Sequence, residues 1–105
     1  MREQECLDVI ERIGIPAALE QCTEECLELG QACIKMARFL RKENPTPMTE
    51  KKIKDHIFDE VADVLNCLDV IHASGYFDWD EVLKHADKKA ERWKERLKER
   101  EDNNV

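Results

Sequence analysis

The chain has 105 residues, with 24 Asp and Glu against 17 Lys and Arg, giving a formal net charge of −7 and a pI near 5.0. Such a balance disfavours nonspecific binding to DNA or to anionic membranes, because no basic field offsets phosphate repulsion. A composition 42% hydrophobic and 39% charged is too apolar for disorder and reads as soluble, strongly amphipathic helix. The length predicts one domain over residues 1–105, with a small core that association with a second copy would enlarge. No run approaches the roughly 18 consecutive apolar residues of a membrane span, and Met1-Arg2-Glu3-Gln4-Glu5 is too polar to open a secretory signal. The expected location is cytoplasmic. Cys6, Cys22, Cys26, Cys33 and Cys67 are an odd number without a Cys-x-x-Cys pair, so buried free thiols are expected rather than disulfides or a zinc knuckle.

Three Gly and three Pro punctuate the chain and no stretch alternates like a strand, so the fold class is all-α. A short first helix spans about residues 3 to 12 and stops around Gly14. Pro16, suited to a first helical turn, opens a second helix that runs to about Lys42. Asn44-Pro45-Thr46-Pro47 breaks the chain. Thr49 is the expected N-cap of a third helix that continues to Ser74 and ends at Gly75, the residue best able to take a left-handed conformation. Asp78 followed by Glu81 resembles a capping box and starts a fourth helix reaching about Arg100, with a fraying tail after it. Helices two and three, about 25 residues each, span about 40 Å. A four-helix bundle, completed within the chain or across a two-fold axis, is the economical way to bury their stripes. A homodimer or dimer of dimers is therefore expected.

Acids spaced i, i+3 are common here. With 24 acids in 105 residues, about five such pairs arise by chance, so position around the helix must discriminate. Projected at about 100° per residue, Leu19, Cys22, Cys26, Leu29, Ala32, Cys33, Met36, Ala37, Phe39 and Leu40 fall on one arc of the second helix. Glu25 lies inside that arc and Glu28 at its border, while Glu20, Glu24, Gln31, Lys35 and Arg38 take the opposite flank. On the third helix the stripe is Ile53, Ile57, Val61, Val64, Cys67, Leu68 and Ile71, with Glu60 within it and Asp63 at its edge. Unpaired carboxylates so placed are costly and repel one another. Basic side chains, proton uptake or a divalent metal would compensate. Lys35, Arg38, Arg41 and Lys54 project outward, which leaves bases of the fourth helix as the competing expectation. An all-oxygen ligand set without a His or Cys cluster suits Mg²⁺ or Mn²⁺ better.

Glu24-Glu25-Cys26-Leu27-Glu28-Leu29, followed by Asp59-Glu60-Val61-Ala62-Asp63-Val64-Leu65, resembles the E-E-x-x-E-L and E-E-x-x-D-V-L signature of MazG-like nucleotide pyrophosphohydrolases, an all-α superfamily. The resemblance covers about residues 16 to 97. It implies Mg²⁺ ligands, and with them the catalytic set, at Glu25, Glu28, Glu60 and Asp63. It also implies hydrolysis of a nucleoside triphosphate between the α and β phosphates, to a monophosphate and pyrophosphate. Bound Mg²⁺ inverts the field of an acidic pocket that would otherwise repel a triphosphate. Glu28 or Glu60 is expected to orient the attacking water, while Glu24 projects away from the stripe, with support of the ligands from behind as its lesser alternative.

Lys89 and Arg92, beside Arg96 and Trp93, are the expected phosphate contacts, although the family wording often places an Asn between that Lys and Arg. Asn66, one turn after Asp63, is expected to read a base or sugar hydroxyl. His56, one turn before Glu60, is expected as an exposed helical side chain, with a hydrogen bond to a ligand as the alternative. Trp79 and Trp93 are expected to pack rather than stack on a base. Asp69 and His72 have the spacing of diiron sites but project away from the stripe, without a second such pair. The competing function is a noncatalytic helical interaction or regulatory module.

Overall fold

The structure is a computed structural model in which residues 1–43 and 48–104 are described. Among the described residues it contains four α-helices and no strand: α1 (Glu3–Ile13), α2 (Ile15–Arg41), α3 (Glu50–Ala73) and α4 (Trp79–Asn103). The predicted break at Asn44-Pro45-Thr46-Pro47 lies outside the described residues. The chain divides into two compact units, Met1–Ser74 and Gly75–Val105. Among the described residues, no helix is long and apolar enough to cross a membrane.

Local chemistry sets the helix ends. At the start of α1, Glu5 accepts from the Arg2 backbone N–H and, at 2.7 Å, from the Arg2 guanidinium. Gly14 serves two helices at once: its N–H bonds to the Ile10 carbonyl at 2.8 Å to close α1, and its carbonyl accepts from Ala18 N–H at 3.1 Å to open α2. Its φ of 83° suits glycine, because a Cβ there would be strained. Pro16 follows in the first turn of α2, where its missing N–H costs nothing. The Thr49 hydroxyl accepts from Lys52 N–H at 3.3 Å and caps α3 as expected. Gly75, at φ 87°, stands just past the end of that helix.

Within the first unit α2 packs chiefly on α3, and α1 lies against both. One apolar cluster gathers Cys6, Ala18 and Val70, with Val9, Ile10 and Ala73 around them. Ala32 and Ile53 are buried further along the long helices. The Met1 amine holds the start of α1 to Asp69 of α3 at 2.8 Å.

The projected stripes are only partly buried. Leu40, Val61, Cys26 and Cys33, all expected inside, are exposed. Phe58, Val61 and Leu65 form an exposed apolar row on α3 at helical spacing, and Leu27 with Ile34 does the same on α2.

The second unit is α4. Asp78 accepts from Asp80 and Glu81 N–H groups at 2.8 and 3.2 Å, and Phe77 meets Trp79 edge-on at 4.9 Å between ring centroids. The helix runs to Asn103, so the tail expected to fray after Arg100 is helical as far as that residue. Its Glu81–Lys84 and Glu91–Lys94 pairs are exposed and contribute little.

Ile53 is 1% exposed, so Ile53→Ala should destabilise the protein by about 2–5 kcal/mol in urea unfolding. Asp78→Ala, which removes a cap, should cost only about 1 kcal/mol.

Candidate metal centre

The acids converge where the two long helices pack. One carboxylate oxygen each from Glu25 of α2 and from Glu60 and Asp63 of α3 lie within 4.8 Å of one another; among the described residues no other such His, Cys, Asp and Glu group occurs. Glu60 and Asp63 are three residues apart and so share one side of their helix. Glu60 is the buried member, at 8% exposure; Glu25 is half-buried and Asp63 exposed, so the site grades from interior to solvent.

Both glutamates are incompletely satisfied. Gln21 Nε2 donates to Glu25 Oε1 at 2.8 Å, and His56 Nε2 lies 3.2 Å from Glu60 Oε1. The second oxygen of each, Oε2, is buried without a hydrogen-bond partner. Among the described residues of the Met1–Ser74 unit, no Lys or Arg forms an ion pair with the trio. Burial raises the Glu25 carboxyl above its ordinary range. The Gln21 hydrogen bond opposes that rise, and neighbouring Glu28 and Asp63 add to it. Two orphaned acceptors and a third carboxylate, with His56 on Glu60 but no Lys or Arg partner among the described residues of their own unit, fit a hard divalent cation of Mg²⁺ or Mn²⁺ type.

Three thiols border the acids. Burial is the main cause that raises the Cys22 thiol, and neighbouring Cys26 adds to it. Burial first, and then the neighbouring Cys22, Glu25 and Asp63, push the Cys67 thiol up to about 11. At neutral pH Cys22 and Cys67 therefore stay protonated.

The remaining expected site residues are distributed unevenly. Glu28 is exposed and adjoins Glu25 without joining the trio. Asn66 lines an apolar cavity of about 160 Å³ together with Val9, Ile13, Ala18, Gln21 and Cys67. Gln21 therefore forms part of the cavity wall while bonding to Glu25. Lys89 and Arg92 are exposed on α4, in the other unit. His56 corrects the expectation of an exposed helical imidazole and takes the alternative, because it is half-buried and bonded to Glu60. Gln21 escaped the sequence reading altogether; the available signal was an amide one turn before Glu25, the relation His56 bears to Glu60.

Compared with protein-family models, curated proteins and solved structures, the chain matches none.

Glu60→Gln should stabilise the metal-free protein by about 1–2 kcal/mol, because it removes a buried charge from a crowded site. The same variant should lose most of the rise in melting temperature that Mg²⁺ gives the wild type, measured by scanning calorimetry.

Proposed function

We propose that the protein is a divalent-cation-dependent nucleoside triphosphate pyrophosphohydrolase, cutting between the α and β phosphates to release a monophosphate and pyrophosphate. One observation carries the reading: Glu25 and Glu60, in the motifs that resemble the MazG-like signature, each present a buried oxygen without a donor beside Asp63.

Glu25, Glu60 and Asp63 would hold the cation, with Glu28 alongside. When bound, Mg²⁺ supplies positive charge for the polyphosphate and for the negative charge that grows on the leaving pyrophosphate. The chain's own groups do the rest. Glu28, exposed next to Glu25, is a carboxylate free to orient water and accept its proton as oxygen attacks the α phosphorus and the bond to the bridging oxygen breaks. The apolar cavity beside Gln21 and Asn66 suits the base or sugar, since its walls are nonpolar and its two amides offer both donors and acceptors.

A second copy of the chain would cover the exposed rows Phe58, Val61, Leu65 and Leu27, Ile34. Large apolar side chains grouped on adjacent helices are characteristic of interfaces, and a short chain with few buried hydrophobics gains most from the association. Housekeeping of the nucleotide pool and a cytoplasmic location belong to the same reading.

A panel of canonical and modified NTPs and dNTPs with Mg²⁺ should give pyrophosphate from at least one member, with Glu60→Gln reduced at least about 100-fold. Light scattering on a sizing column should find a homodimer or larger assembly that Phe58→Glu splits without loss of helicity. Pyrophosphate release from no substrate, by a folded dimer, would instead support the noncatalytic interaction module.

A further inference from the structure

Glu25 and Glu60 stand on different helices yet are held in the same way. Each has a nitrogen donor four residues earlier, Gln21 Nε2 at 2.8 Å and His56 Nε2 at 3.2 Å, and in each case the atom held is Oε1. In each case too, Oε2 is buried and has no partner. Residues four apart are neighbours on a helix surface, so both contacts are local and form with the helix itself. A glutamate rotates about three side-chain bonds; a donor fixed one turn away removes that freedom before any ligand arrives.

We infer that Gln21 and His56 are a matched pair of positioning residues, each engaging one oxygen of its glutamate so that the other is presented, singly, to a cation shared by Glu25, Glu60 and Asp63. The inference rests on the cation site proposed above and adds to it a statement about selectivity. With Oε1 engaged, neither glutamate is free to bind through both oxygens. Mg²⁺ and Mn²⁺ accept single-oxygen carboxylates in a small octahedral shell. Ca²⁺ takes more ligands and often a carboxylate through both oxygens, so the held glutamates disfavour it. The imidazole plays its part in the form that carries a proton on Nε2, with the ring oriented toward Glu60.

The test titrates the metal-free full chain with Mn²⁺ and with Ca²⁺ in a calorimeter, for the wild type, Gln21→Ala, His56→Ala, His56→Gln and Glu60→Gln. Each alanine variant should bind Mn²⁺ at least about tenfold more weakly, and the preference for Mn²⁺ over Ca²⁺ should narrow as Oε1 is released. His56→Gln should stay within about threefold of wild type, since Gln at that spacing already makes the bond to Glu25. Gln21 is exposed, so its variant carries the test if His56→Ala does not fold.

Wild-type Mn²⁺ affinity in both alanine variants, with binding lost in Glu60→Gln, would overturn the pairing and leave the cation site standing. Absence of Mn²⁺ binding in the wild type would overturn both. Weaker binding with an unchanged Mn²⁺ to Ca²⁺ ratio and no recovery in His56→Gln would reduce both residues to packing roles and overturn the inference.

Discussion

The interaction on which the site depends is the burial of the Glu60 carboxylate where α3 meets α2, with one oxygen bonded and the other bare. Removing a carboxylate from water costs several kcal/mol even after relaxation, and a single bond to a half-exposed imidazole does not restore what hydration gave. Glu25 repeats the situation from the facing helix, and Asp63 adds a third negative group at the solvent edge. A sequence selected only for stability would place an apolar residue at position 60, between Ile53 and Cys67 on the inner arc. The acid there is an expense that a bound cation would offset, which is why the chemistry of the site follows from its packing.

The three-helix unit is arranged to keep that acid in place. The apolar cluster of Cys6, Ala18 and Val70 lies at the α1 end of the long helices, and Ala32 and Ile53 are buried at the other end. Glu25 and Glu60 fall between these two anchored regions. Fixing a helix pair on both sides of a charged centre limits the rotation by which either glutamate could escape to solvent.

Much of this was legible in the chain. Gly14, Thr49, Gly75 and Asp78 mark helix ends because each supplies a conformation or an acceptor that its neighbours lack, and those signals are local. Helical projection likewise put Glu25 and Glu60 on inner faces, since the direction of a side chain around a regular helix is set by its number. Projection failed where burial depends on what covers the face. Val61, Leu40, Cys26 and Cys33 lie on apolar arcs but are exposed, because α1 is only 11 residues long and cannot cover two helices of 27 and 24. Gln21 was obscured for another reason, since an amide on a helix is unremarkable until the carboxylate one turn later is known to have a buried, unpartnered oxygen; the bond of His56 to Glu60 was legible only as the lesser alternative to an exposed imidazole.

Sulfur and oxygen share this region, and burial separates their roles. The same loss of hydration that leaves the Glu25 and Glu60 oxygens unsatisfied raises the Cys22 and Cys67 thiols and keeps them protonated at neutral pH. A thiol is a poor metal ligand until it ionises, whereas a carboxylate remains a competent donor even when its own proton affinity is raised, as at Glu25. A region with three cysteines beside three acids therefore presents a hard, oxygen-rich face to an incoming ion. Raising the dielectric around those thiols, by opening the contact between α2 and α3, would bring sulfur ligation within reach. The packing that makes the acids costly would thus also favour a hard, oxygen-preferring cation as the one to relieve them.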